Sequence, residues 1–77
     1  MSFPVLIATR PLSEPCIERH LVQWLPEANW RLTRQTEDGR LWLLRLSADP
    51  CSELVQEMFQ AVMRNDWFLG MDFSHQD

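Results

Sequence analysis

The chain has 77 residues, of which 45% are apolar and 23% charged, and its formal net charge is −4. This length supports a single domain, and the composition is that of an ordinary globular protein rather than a disordered or fibrous one. The negative charge argues against non-specific nucleic-acid binding, which depends on neutralisation of phosphates by Lys and Arg. No apolar run approaches the roughly 20 residues that a membrane-spanning helix needs.

The cysteines and the N-terminal residues predict the compartment. The first residues lack a basic stretch followed by an apolar stretch, so we expect no signal peptide. Cys16 and Cys51 are then expected to stay reduced. We therefore expect a cytoplasmic protein without membrane association.

A buried strand and an amphipathic helix are predicted first. Residues 5–8, Val-Leu-Ile-Ala, form a continuous apolar run, which is typical of a central strand with two apolar faces. Ser13 is predicted to cap a helix with Glu14 and Pro15 in its first turn. Pro26 is predicted to end that helix. Its apolar stripe repeats at helical spacing and consists of Ile17, His20, Leu21, Trp24 and Leu25.

A β-hairpin is predicted next. The run from Trp30 to Thr36 alternates between apolar and polar residues, as in a strand with one face in water. Residues 37–39, Glu-Asp-Gly, supply the turn, because glycine readily adopts a positive φ. The run from Leu41 to Leu46 is apolar at both parities except at Arg45. We therefore expect a central strand whose even positions face the helices.

The second helix has the clearest period. Residues 49–50, Asp-Pro, are predicted to start it. The segment from Trp67 to Phe73 allows two interpretations, a fourth strand at a sheet edge or an aromatic tail over the core. We expect residues 74–77 to be disordered. The apolar stripe of this helix consists of Cys51, Leu54, Val55, Met58, Phe59, Val62 and Met63.

The resulting order of elements is β-α-β-β-α. A further strand follows if the segment from Trp67 to Phe73 forms the edge strand. It predicts one α+β domain, a two-layer sandwich of the ferredoxin-like type, with an antiparallel sheet and two helices on one face. The first and third strands are expected at the centre of the sheet, and the second and fourth at its edges. The other face of the sheet is expected to be open.

No arrangement of residues in the sequence predicts catalysis, a cofactor or a metal site. Cys16 and Cys51 lie near the starts of antiparallel helices and therefore at opposite ends, so we expect neither a disulfide nor a shared metal. Cys16 and His20, at i and i+4, are the one nucleophile-and-base pair that the spacing offers. No third orienting group or oxyanion site accompanies them. Two glycines leave no Gly-rich phosphate loop.

Four of the seven arginines lie on the hairpin, namely Arg31, Arg34, Arg40 and Arg45. The RNA-recognition fold shares this topology and stacks bases on aromatic residues of its open sheet face. Trp30 and Trp42 would suit that role. However, the third strand lacks the glycine-and-aromatic run of that fold, so nucleic-acid binding is the last of the alternatives.

The second helix running into residues 65–68, Asn-Asp-Trp-Phe, resembles the end of DinI-family proteins, whose β-α-β-β-α order also matches. These proteins are small modulators of the recombinase in the DNA-damage response, so the resemblance implies a modulator of that type. It also implies a strongly acidic second helix, whereas this helix carries few acids. No functional residue is carried across.

We expect a non-catalytic protein-binding or regulatory module that uses its apolar open sheet face, with self-association as the expected form. Leu41 and Leu43 are expected to have no cover within one chain. The alternatives are a small-molecule-sensing regulatory domain, a DNA-damage-response modulator and a binder of single-stranded nucleic acid. The expected docking residues are Leu41, Leu43 and Arg45 of the third strand, with Trp67 and Leu69 from the last segment.

Overall fold

In a computed structural model, which describes residues 3–47 and 51–73, the chain forms a four-stranded sheet with two helices. The segment after the second helix is a strand, so the first of its two interpretations is confirmed. The elements in chain order are β1 (Phe3–Thr9), α1 (Glu14–Val22), a 3₁₀ helix (Glu27–Asn29), β2 (Trp30–Arg34), β3 (Leu41–Leu46), α2 (Glu53–Met63) and β4 (Phe68–Asp72).

The strand order is β2-β3-β1-β4, and all neighbouring strands are antiparallel. The two strands with apolar residues at both parities, β1 and β3, lie at the centre as predicted. The alternating strand β2 lies at one edge and β4 at the other. The register places Val5 opposite Leu44 and Ile7 opposite Trp42, which aligns the apolar positions of the two central strands.

Both helices cover one face of the sheet and form the core with it. The predicted even positions of β3 face this core, and Trp42 is fully buried there. The fully buried core residues are Val5 and Ile7 of β1, Ile17 and Leu21 of α1, Trp42, Leu44 and Leu46 of β3, and Val55 and Met58 of α2. The structure therefore has the predicted small α+β arrangement with an antiparallel sheet.

The predicted C-terminal end of α1 needs correction. The helix ends at Val22 rather than at Pro26. Pro26 instead precedes the 3₁₀ helix as its N-cap, a place that suits its fixed φ. Ser13 is the N-cap of α1, as predicted, but among the described residues its side chain makes no capping hydrogen bond. Its hydroxyl instead donates to Cys16 Sγ at 3.3 Å.

Helix α2 begins at Glu53, with Ser52 as its N-cap, and the hydroxyl of Ser52 accepts from the Val55 amide at 3.3 Å. The predicted start at residues 49–50 lies outside the described residues, as do residues 74–77. Three members of the predicted stripe, Cys51, Leu54 and Met63, are exposed, which corrects that prediction. At 100° per residue Leu54 and Met63 lie about a quarter turn from the middle of the buried positions, and Cys51 precedes the helix.

The hairpin turn is joined to the loop between β1 and α1. Gly39 has a φ of 72°, as predicted, and its carbonyl accepts hydrogen bonds from Leu12 N at 3.2 Å and Trp42 Nε1 at 3.1 Å. The Thr9 hydroxyl also lies 3.1 Å from this carbonyl. A Cβ at Gly39 would overlap the carbonyl of Leu12. The turn therefore requires glycine for its φ and for its space.

Candidate functional site

The sheet face that the helices leave uncovered is called the open face below. The register defines its residues in three rows across the strands: Arg31, Arg45 and Pro4; then Thr33, Leu43, Leu6 and Asp72; then Leu41, Ala8 and Gly70. The middle of this face is apolar, and its charged residues lie toward β2 and β4.

The apolar middle of the open face is partly withdrawn from water. Leu6, Ala8 and Leu41 are half-buried, and Leu43 is only 9% exposed although it lies outside the core. Its partners in the neighbouring strands are Leu6 and Thr33. The expectation that Leu43 has no cover within one chain is therefore wrong, because Leu43 is buried in the single chain.

The charges of the open face are arranged by sign. Arg31 of β2 lies directly opposite Arg45 of β3, and like charges in that relation destabilise a sheet. Asp72 lies on the same face at the β4 side, opposite Leu6. The face thus has a basic side and an acidic side with an apolar middle. The other two hairpin arginines lie apart from this face: Arg40 pairs with Asp38 at 2.8 Å, and Arg34 shares the parity of Trp30.

The five predicted docking residues do not form one patch. Leu41, Leu43 and Arg45 lie together on the open face. Trp67 packs against the core, with its ring centroid 5.5 Å from that of His20. Leu69 is 62% exposed in β4. The register pairs Ala8 with Gly70 but Thr9 with Phe68, so Leu69 is the extra residue of a β-bulge.

The two hairpin tryptophans face the covered side of the sheet. Trp42 Nε1 donates to Thr9 Oγ1 and to the Gly39 carbonyl, each at 3.1 Å. Trp30 Nε1 donates to the Leu25 carbonyl at 3.0 Å, and Trp30 is 8% exposed. Neither ring is available on the open face for stacking with a base.

The remaining chemical groups are dispersed. Cys16 is half-buried and Cys51 exposed, and neither is in a disulfide in the part of the chain that the structure describes. His20, the predicted base for Cys16, contacts Trp67 through its ring. Within residues 3–47 and 51–73, no group of three His, Cys, Asp or Glu residues is placed to hold a metal ion. In the same residues no helix has the length and apolarity needed to cross a membrane.

Comparisons of the chain with models of protein families, with curated proteins and with solved structures found no match.

Two features of the surface were not predicted from the sequence. Leu6 and Ala8 belong to the open face, and the register of β1 with β3 is what places them there. Phe3 and Phe73, at opposite ends of the sequence, lie together beside α2, with ring centroids 6.3 Å apart. The pairing of β1 with β4 brings these two regions together, and no periodicity within either segment indicates it.

Proposed function

We propose that the protein is a non-catalytic protein-binding module that pairs with a second copy of itself through the open face. One observation carries this proposal: the open face has an apolar middle between a basic side and an acidic side. Faces of this kind pack on each other as two sheets about 10 Å apart, with their inner side chains interdigitated. The proposed setting is the cytoplasm, where thiols such as Cys16 stay reduced.

The arrangement of charges favours one symmetry. A two-fold axis that runs parallel to the strands places the β2 side of one copy over the β4 side of the other, as an isologous interface requires. Arg31 of each copy then approaches Asp72 of the second copy, and the leucines of both apolar rows meet in the middle. The exposed Arg31 of each copy thereby gains an acidic neighbour.

The size of the domain gives a reason for this association. A domain of 77 residues buries only about 60% of the surface of its unfolded chain and is marginally stable on that account. Association of two copies is a common way to add buried apolar area.

We also propose that the fold belongs to the ferredoxin-like class. Its support is the element order β-α-β-β-α-β together with the strand order β2-β3-β1-β4, in which β1 and β3 are central. Dimers that pack by their open faces are compatible with this arrangement, because both helices lie on the opposite side.

Sedimentation equilibrium tests the proposal. At about 100 μM, well above a micromolar Kd, we expect twice the 9.2 kDa mass of one chain. Leu41→Glu should give the mass of one chain, because it places a charge in the apolar middle. Leu54→Glu is the matched control, since Leu54 is 45% exposed on α2, and it should remain dimeric. Circular dichroism establishes that both variants are folded.

A charge exchange tests the symmetry with exposed residues only. Asp72→Arg should weaken association, because it places arginines on both sides of the interface. Adding Arg31→Asp to that variant should restore association. A monomeric wild type at this concentration would contradict self-association itself, whereas a failure of the double variant to recover would contradict only the direction of the axis.

A further inference from the structure

A second surface lies on the helix side of the molecule. It is a groove of about 460 Å³ along α2, called the α2 groove below. Apolar side chains and two uncharged amides line it. The lining residues that matter here are Phe3, Gln56, Phe59, Gln60, Met63 and Phe73.

The α2 groove lies on the side of α2 that faces away from α1. The α1 side of the helix is marked by a separate cleft, where Glu57, Ala61 and Arg64 lie with Trp24. Phe59 and Met63 point to the other side. Helix α2 packs on β4, and β4 is the edge strand. The groove therefore runs above the outer edge of the sheet.

The end of β4 forms one wall of the groove. Phe73 follows β4 directly, and its ring packs edge-on against Phe59, with centroids 5.2 Å apart. Phe73 is 46% exposed and Met63 47% exposed. A strand edge and an accessible apolar surface are thus adjacent.

The two edges of the sheet differ in what they present. The edge strand β2 exposes Arg31, Thr33 and Arg34, and charged side chains on an edge strand discourage the addition of a further strand. The edge strand β4 has no charged residue from Phe68 to Met71, and its one charged residue, Asp72, lies on the open face rather than on the helix side. No strand of the described residues pairs with its outer side. The bulge at Leu69 disturbs only its first half, because residues 70–72 keep a regular ladder with β1.

We propose that β4 and the α2 groove together bind an extended peptide segment of another protein, with apolar residues at alternate positions. A strand added about 4.8 Å outside β4 would pair with the outer side of that strand. Every second side chain of that strand would point to the helix layer and enter the groove beside Phe59, Met63 and Phe73. The uncharged lining selects apolar or uncharged side chains at those positions, because an ionised group would lose its hydration without a partner.

This binding mode is independent of the open face. The groove lies on the helix side and the edge of the sheet, and the open face lies on the opposite side. The peptide proposal would therefore stand if the protein proved to be a monomer.

The probe is the capped heptapeptide acetyl-Thr-Leu-Thr-Val-Thr-Leu-Thr-amide, added to ¹⁵N-labelled protein and followed by NMR. At about 1 mM peptide, where even weak binding is measurable, we expect shifts of the amide signals of residues 70–72 and of the Met63 methyl group. The β2 amides should not move. A control peptide with Glu in place of Leu and Val should produce no shift.

Two protein variants form a matched pair for this titration. Met63 and Val22 are the last residues of α2 and α1, and they are 47% and 48% exposed. Met63→Glu should weaken peptide binding at least tenfold, while Val22→Glu, with the same charge at the same helical position, should bind as the wild type does.

Absence of shifts at millimolar peptide would overturn the proposal, as would shifts of the β2 amides instead. Equal binding by Met63→Glu and the wild type would overturn the role of the groove. If the Met63 methyl signal shifts with protein concentration in the absence of peptide, the occupant of the groove is a second copy, and the proposal of a separate peptide is wrong.

Discussion

Leu43 and Leu44 are neighbours in β3, and both are buried, but different parts of the molecule bury them. Leu44 is fully buried in the core between the sheet and the helices. Leu43 is 9% exposed and lies on the open face, between Leu6 and Thr33 in the register. A side chain can thus be buried in a single chain without belonging to the core between the sheet and the helices. Burial of one residue does not show that its face is covered by a second layer.

The two faces of β3 also differ in their polar groups. On the covered face, Trp42 donates to Thr9 and to the Gly39 carbonyl, so its indole N–H is satisfied. On the open face, Arg45 lies opposite Arg31. Hydrogen bonds with fixed partners define a unique packing, whereas charges at an accessible face respond to salt and to a docked partner. Substitutions on the two sides should therefore differ in size and in salt dependence.

The largest loss of stability should come from a substitution at Gly39. Its carbonyl accepts the hydrogen bond from Trp42 on the covered face. Gly39→Ala should lower the free energy of unfolding by about 3 kcal/mol or more, because an L side chain is strained at positive φ and its Cβ would overlap the Leu12 carbonyl. Urea denaturation followed by tryptophan fluorescence measures this loss.

Gly70, on the open face, is the control for that substitution. A Cβ there would have no described atom within 4 Å, so Gly70→Ala should change stability by about 0.5 kcal/mol or less. Similar losses at the two glycines would show that the close approach at Gly39 does not determine the effect.

The next-largest losses of stability should come from substitutions of the two leucines, and they compare the two faces of β3 directly. Leu44→Ala should cost about 3 kcal/mol, because a cavity remains between the helices and the sheet. Leu43→Ala should cost about half as much, because no helix or strand of the described residues lies over the open face, and water or neighbouring side chains can fill the space. Urea denaturation at a protein concentration low enough to keep single chains measures both values. Equal losses would mean that the open face is packed as firmly as the core.

A smaller effect should follow from the hydrogen bond between Trp42 and Thr9. Trp42→Phe leaves Thr9 with one partner fewer, and Thr9→Val removes the acceptor; each should cost about 1 to 2 kcal/mol. The double variant should lose less than the sum of the two, because the pair forms one network. Strictly additive losses would indicate that the contact contributes little beyond the packing of each residue.

The sequence was sufficient for the parts of the fold that follow from residues close in the chain. The double-sided apolar runs of β1 and β3 predicted their central places, and the period of α2 predicted its buried residues. The cap at Ser52, whose hydroxyl accepts from the Val55 amide, was not predicted. The predicted start at residues 49–50 lies outside the described residues.

The features that the sequence did not predict depend on contacts between distant segments. Leu43 has register partners in β1 and β2 that the local pattern does not contain. The place of Trp67 beside His20 comes from the packing of α1 near the start of β4. The sequence left two interpretations for β4, because the bulge at Leu69 interrupts the two-residue alternation of side chains between the faces of a strand. The candidate site was therefore predicted for the β3 residues and not for the α2 groove.

The smallest predicted effect is a gain in stability on the open face. Arg31→Thr removes the like charge opposite Arg45 and should raise the free energy of unfolding of the single chain by about 0.5 kcal/mol at low salt. The change makes the net charge of the chain more negative, but distant charges are screened beyond about 10 Å at 0.1 M salt, so the local pair should dominate. The gain should vanish in about 1 M salt.

Arg34→Thr is the control, because Arg34 is exposed and lies opposite Trp42, so it should show no such salt dependence. A loss of stability in Arg31→Thr would mean that Arg31 gains more from its other neighbours in the chain than it loses to Arg45.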